Sequence, residues 1–98
     1  MTPEFEWDSR KAATNLKDHG VSFEEALTVF ADPLGRIFDD LDHSTSERRE
    51  LIIGHSAQHR LLVVSFTERT TRTRIISARE ATAGERRDYE ENKDKQPT

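Results

Sequence analysis

Four short apolar runs crowd the second half of this sequence, and the connections between them are its strongest constraint. The runs are RIFDD (36–40), RELIIG (49–54), RLLVVSF (60–66) and RTRIISA (72–78), joined by residues 41–48, 55–59 and 67–71. Connections this short suit hairpin loops, whereas a parallel crossover needs about a dozen residues or more. The runs therefore predict an antiparallel meander. LLVV (61–64) is apolar at both parities, which puts its strand in the centre with both faces covered.

The first third keeps a different period. EFEW (4–7) alternates polar and aromatic residues, as a short strand does with Phe5 and Trp7 on one face. Asp8 stands at a helix N-cap position, and Ala12, Ala13 and Leu16 follow at helical spacing. Gly20 suits the left-handed residue past the helix end, so 9–19 is expected to be helical. Ser22 and Glu25 form an S-x-x-E capping box for a second helix through Phe23, Ala26, Leu27 and Phe30, which Asp32-Pro33 stops. Thr82 and Glu85 form another, for a helix from Ala83 through Tyr89 to about Asn92. Residues 93–98 carry no packing signal and are expected as a flexible tail. The prediction is one α+β domain over 1–92, in the order β-α-α-β-β-β-β-α.

Charge and composition limit what such a domain does. Hydrophobic residues make up 33% and charged residues 35% of the 98, polar for a globular protein, but the apolar residues come in ordered clusters and support one core. Without cysteine, disulfides and thiolate metal sites are excluded. The apolar runs fall far short of a membrane span and no charged-then-apolar leader precedes Phe5, so a cytoplasmic protein with no membrane association is expected. The net charge of −4 is unevenly placed: residues 1–50 carry 12 acids and 6 bases, residues 51–98 carry 7 acids and 9 bases. Residues 60–79 hold five arginines against a single acid, Glu68. A general nucleic-acid coat would be basic throughout. The arginines here either neutralise a neighbouring acidic face or form a local anion site.

Hairpin geometry sets Glu47, Arg48 and Arg49 beside the turn carrying Arg69, Arg72 and Arg74. It gathers His55, His59, Arg60, Ser77 and Arg79 at the other end. Arg74 and Arg79 lie roughly 17 Å apart along an extended strand, and on opposite faces unless a bulge intervenes. Each candidate has a structural alternative. Arg69, Arg72 and Arg74 bind an anion or are solvated hairpin residues paired with Asp39, Asp40 or Asp42. Arg79 serves a site or bonds carbonyls or Glu85. His19 in a last helical turn complements the macrodipole, and Lys11, Lys17 and Arg10 form a solvated helix face equally well. His43, His55 and His59 read as loop residues whose spacing makes no metal set, and no metal or cofactor is expected. Tyr89 shares a helical stripe with Glu85 and packs. No Gly-rich phosphate loop, nucleophile elbow or paired-carboxylate motif is present.

FEWDSRKAATNLKDHGVSFEEA (5–26), DP (32–33), ERRELIIGHS (47–56), LLVVSFTER (61–69) and RIISAREATAGERRDYE (74–90) together resemble the BrnT toxin family, in order and over nearly the whole chain. The resemblance implies a RelE-like fold, with two N-terminal helices and a C-terminal helix against an antiparallel sheet. That fold has one strand fewer than the run count, so RIFDD is an edge strand or merges with its neighbour. The resemblance also implies metal-independent endoribonuclease activity that inhibits translation, and neutralisation by a BrnA-type ribbon-helix-helix antitoxin. The pair would form a heterotetramer that represses its own operon, touching operator DNA only as the complex. By motif position, Arg79 and Arg74 are the implied phosphate clamps and His19 and Glu47 the proton-transfer candidates. Lys11, Lys17, Arg69 and Arg72 are the implied nucleic-acid contacts. The alternative is a catalytically inactive RelE-like module that shapes a repressor complex with its antitoxin.

Overall fold

The computed structural model describes residues 4–43 and 47–94, the side chains of 92–94 excepted. The chain runs β1 (Glu4–Glu6), α1 (Ser9–His19), α2 (Phe23–Thr28), a 3₁₀ turn (Val29–Ala31), β2 (Arg36–Asp39), a second 3₁₀ turn (Leu41–His43), β3 (Glu50–His55), β4 (Leu61–Glu68), β5 (Arg72–Glu80) and α3 (Ala83–Asp94). Three helices and a five-stranded sheet make the expected mixed α+β fold, and RIFDD forms the edge strand β2. Residues 93–94 continue α3, and the remainder of the expected tail, 95–98, lies outside the described residues.

Local signals act where they stand in the sequence. Asp8 Oδ1 accepts from the N–H groups of Arg10 (2.8 Å) and Lys11 (3.1 Å) at the start of α1. Gly20 ends that helix at φ 68°, where a side chain would be strained, and its N–H bonds Leu16 O at 2.9 Å. Ser22 Oγ caps α2 through Glu25 N at 3.0 Å. The Glu25 carboxylate does not return the bond: it turns inward to Ser56 Oγ (2.7 Å) and Arg60 Nε (2.9 Å). At α3 the box closes both ways, Glu85 N to Thr82 Oγ1 at 3.1 Å and Thr82 N to Glu85 Oε1 at 2.9 Å.

The strand order is β1-β5-β4-β3-β2, with β4 central and Leu61, Leu62, Val63 and Val64 all buried. The sheet is not antiparallel throughout. β2 to β5 form the meander, but β1 lies parallel to β5, with Glu6 opposite Arg74. Hairpin loops force neighbours to reverse. β1 and β5 are joined through the whole intervening chain, so nothing local sets their direction.

One face of the sheet packs Ile52, Leu62, Val64, Phe66 and Ile75 against Val21, Phe23, Ala26 and Val29. On the other, Ile53, Leu61 and Val63 are covered by Tyr89 of α3. That helix stays at one end, so the rest of the second face opens into grooves. Three polar clamps lock the layers. Arg60 and Ser56 hold the buried Glu25, whose carboxyl sits below the usual range chiefly because of the Arg60 bond. Asn15 of α1 bonds the backbone of Ala78 in β5. Asp32 accepts from Leu34 N, His55 N and Tyr89 Oη, tying the turn after α2 to β3 and α3. Gly54 leaves room for this last clamp, since a Cβ there would stand 3.0 Å from Asp32 Oδ2 and 3.1 Å from Val29 Cγ1.

Candidate active site

One backbone irregularity builds the site. Ser65 pairs with Ser77 and Phe66 with Ile75, which leaves Ile76 as an extra residue bulged out of β5. Before the bulge Arg74 stands opposite Thr67, and after it Arg79 stands opposite Val63. Thr67 and Val63 are four residues apart on one unbroken strand, so Arg74 and Arg79 project from the same face of the sheet. Simple alternation would have separated them.

Two adjoining grooves run along this face. Lys11, Glu47, Arg49, Thr67, Arg69, Arg74 and Ile76 line the first, and Asp40, His43, Arg49, Leu51, Ser65, Ser77 and Arg79 line much of the second. Their volumes are about 200 and 250 Å³, and Arg49 belongs to both. Thr67 Oγ1 donates to Arg48 O at 2.7 Å, which fixes the segment carrying Glu47 and Arg49 against β4.

The arginines are balanced by acids from elsewhere. Arg74 lies 2.9 Å from Glu6, Arg69 lies 3.4 Å from Glu6 and 3.1 Å from Glu47, and Arg72 lies 3.1 Å from Glu4. The expected partners Asp39, Asp40 and Asp42 do not take part in these pairs: Asp39 pairs with Arg48, and Asp40 with His43. The reason is the parallel strand β1, which sets Glu4 and Glu6 beside Arg72 and Arg74. The exposed pairs, those of Arg69 and Arg72, are worth about 1 kcal/mol or less each, while Arg74–Glu6 is part-buried.

Arg79 is held more firmly. Its guanidinium makes two parallel bonds to Glu85, at 2.7 and 2.9 Å, and a third to Glu80 O at 3.3 Å. The Arg79 fork, with the Thr82 N–H bond behind it, brings the Glu85 carboxyl down to about 2 from its ordinary 4.5. A depressed carboxylate stabilises the fold fully above its unfolded value and loses that contribution as pH falls through the folded one. Glu85→Gln is therefore expected to unfold with less pH dependence than wild type between about 4.5 and 2, measured by denaturant titration across that window. Equal slopes for the two proteins would show that the pair contributes nothing to acid stability.

The remaining candidates separate. Lys11 lines the first groove, and also a neighbouring one with Arg10, Thr14, Asp18 and His19 on the far side of Ile76. His19 thus opens on a different groove from Glu47 and Arg79. Lys17 is exposed on α1, and Arg72 is exposed beside Glu4; neither lines the two grooves of the open face. Arg49 and the Asp40–His43 pair were not singled out by residue pattern. The meander register had already brought Arg49 near Arg69 and Arg74, a signal that could have found it. The bond from Tyr89 to Asp32 (2.9 Å) was not legible either; burial and this bond push the tyrosine up to about 12.

Cations gathered with a carboxylate and a histidine on an open sheet face define a small α+β domain suited to a phosphate-bearing ligand. A family model described as "Ribonuclease toxin, BrnT, of type II toxin-antitoxin system" matches residues 7–85. The chain belongs to this BrnT family, and that membership implies an antitoxin partner. Its fold is similar to the 1.1 Å crystal structure of the Brucella abortus ribonuclease toxin, BrnT, with a TM-score of 0.63 and 23% identity over 83% of this chain and 99% of that one. No curated protein matches the sequence. Among the described residues no helix is long and apolar enough to cross a membrane.

Proposed function

We propose that this chain is the RelE-like toxin of a type II pair, a cytoplasmic endoribonuclease that cuts RNA without a metal ion and so inhibits translation. A BrnA-type ribbon-helix-helix antitoxin neutralises it, and the two form a heterotetramer that represses its own operon and alone reaches operator DNA. The observation that carries the reading is the placement of Arg49, Arg69, Arg74 and Arg79 on one face, with Glu47 among them.

Cleavage of RNA by its own 2′-hydroxyl needs a base, positive charge on the phosphorane and an acid for the leaving oxygen. Arg74 and Arg79 supply the charge as planar forks. Glu47, beside Arg69, takes the 2′-hydroxyl proton, and Lys11 and Arg69 contact the backbone. Lys17 and Arg72 extend the cationic track outside the grooves. His19, on the neighbouring groove, contacts RNA there, which leaves Glu47 the first candidate for proton transfer.

The net charge of −4 and the carboxylate partners of the arginines favour a second reading, a binding module without catalysis. Purified chain free of antitoxin, incubated with total RNA in EDTA, separates the two. Fragments are expected. Intact RNA from folded protein, with ribosomes present as well as absent, would sink the nuclease and leave the module.

A further inference from the structure

The two grooves of the open face share the Arg49 side chain, with Glu47 in one and His43 in the other. His43 ends the 3₁₀ turn Leu41–His43, and its Nδ1 lies 3.1 and 3.0 Å from the two carboxylate oxygens of Asp40. Asp40 is itself anchored, because its backbone N–H donates to Arg49 O at 2.9 Å and its O accepts from His43 N at 3.3 Å. The pair is thus tied to the residue that walls both grooves. Its exposure is unequal: the Asp40 side chain is 14% exposed and the His43 side chain 65%. A carboxylate on Nδ1 holds the ring by that nitrogen and leaves Nε2 for a reacting group. The charged groups facing His43 are Asp40 from its own turn, Arg49 from the start of β3 and Arg79 from β5.

We propose that His43 is the general acid of RNA cleavage by this chain, with Asp40 as its positioning residue. The inference rests on the ribonuclease reading above and adds the group that reading lacked. A phosphate held by Arg49 has the Glu47 groove on one side and the His43 groove on the other, as in-line displacement requires of its base and acid. The Glu47 carboxylate takes the 2′-hydroxyl proton, and the 2′-oxygen forms a bond to phosphorus. The bond from phosphorus to the 5′-oxygen breaks, and that oxygen takes the proton from His43 Nε2. The products are a 2′,3′-cyclic phosphate and a 5′-hydroxyl. Water then returns a proton to Nε2 and removes the one on Glu47.

The test compares wild type, His43→Ala and Asp40→Asn on an RNA oligonucleotide and on uridine 3′-(4-nitrophenyl phosphate), whose leaving group departs without an acid. His43→Ala is expected to slow oligonucleotide cleavage by roughly 10²–10⁴-fold and to lose the alkaline limb of the pH profile. It should cleave the nitrophenyl ester within a few-fold of wild type. Asp40→Asn should show the same selectivity with a smaller loss, about 10–100-fold. Equal losses on both substrates, or none on either, would overturn the assignment while leaving the nuclease standing. Wild type inert toward both substrates, and toward RNA in the presence of ribosomes, would remove the nuclease reading itself.

Discussion

Arg79→Ala is expected to lower the rate of RNA cleavage by roughly 10²–10³-fold, the scale seen when a charge-stabilising donor is taken from a transition state. The side chain lies on the open face, and its planar fork already holds two carboxylate oxygens of Glu85 in the geometry a phosphate would present. Arg79→Lys keeps the charge but not the fork, and should fall between the two. Removing the arginine also leaves Glu85 ionised beside the groove, where it would repel RNA. The double variant Arg79→Ala/Glu85→Ala isolates that contribution: a rate returning to near wild type would assign the loss to repulsion, not to a missing clamp. Single-turnover cleavage at saturating protein makes the measurement. Full activity in Arg79→Ala would remove this residue from the site.

The second large effect concerns folding. Asn15→Leu should destabilise the domain by roughly 3–5 kcal/mol, since unsatisfied buried polar groups cost about 1–3 kcal/mol each. Among the described residues strand β1 pairs with β5 at Arg72–Arg74, and farther along that edge no described strand lies beside β5. The Asn15 amide takes the place of one. Its Oδ1 accepts from Ala78 N at 3.1 Å, and its Nδ2 donates to Ala78 O at 2.8 Å and to Val21 O at 2.9 Å. Leucine has nearly the same bulk and strands all three groups in a site where residue 15 is only 6% exposed. Urea unfolding of the two proteins measures the difference, and a change below about 1 kcal/mol would mean that water replaces the amide.

These two residues differ in how much of their role could be read beforehand. Arg79 announces itself by standing between an apolar run and a capped helix, and Glu85 in that helix's capping box is its partner. Asn15 gave no sign, because a polar residue in an amphipathic helix reads as solvated until a strand edge is known to lie against it. Lys17 was marked by its place in the motif, and it is exposed on α1 outside the two grooves.

What the sequence determined by itself was helix capping and hairpin closure. Asp8, Ser22 and Thr82 cap the helices they precede, Gly20 ends α1, and the short connections make β2 to β5 a meander with LLVV in its centre. Its ordered motifs also carried the resemblance to the BrnT family. Only the tertiary structure decided the direction of β1, the bulge at Ile76, the Glu4 and Glu6 partners of the arginines, and the turn that brings His43 to Arg49. Capping and hairpin closure are satisfied by neighbours in the chain, so their residue types record them. A bulge or a strand beside a distant strand is selected by packing across the whole sheet, and no single residue carries its signature.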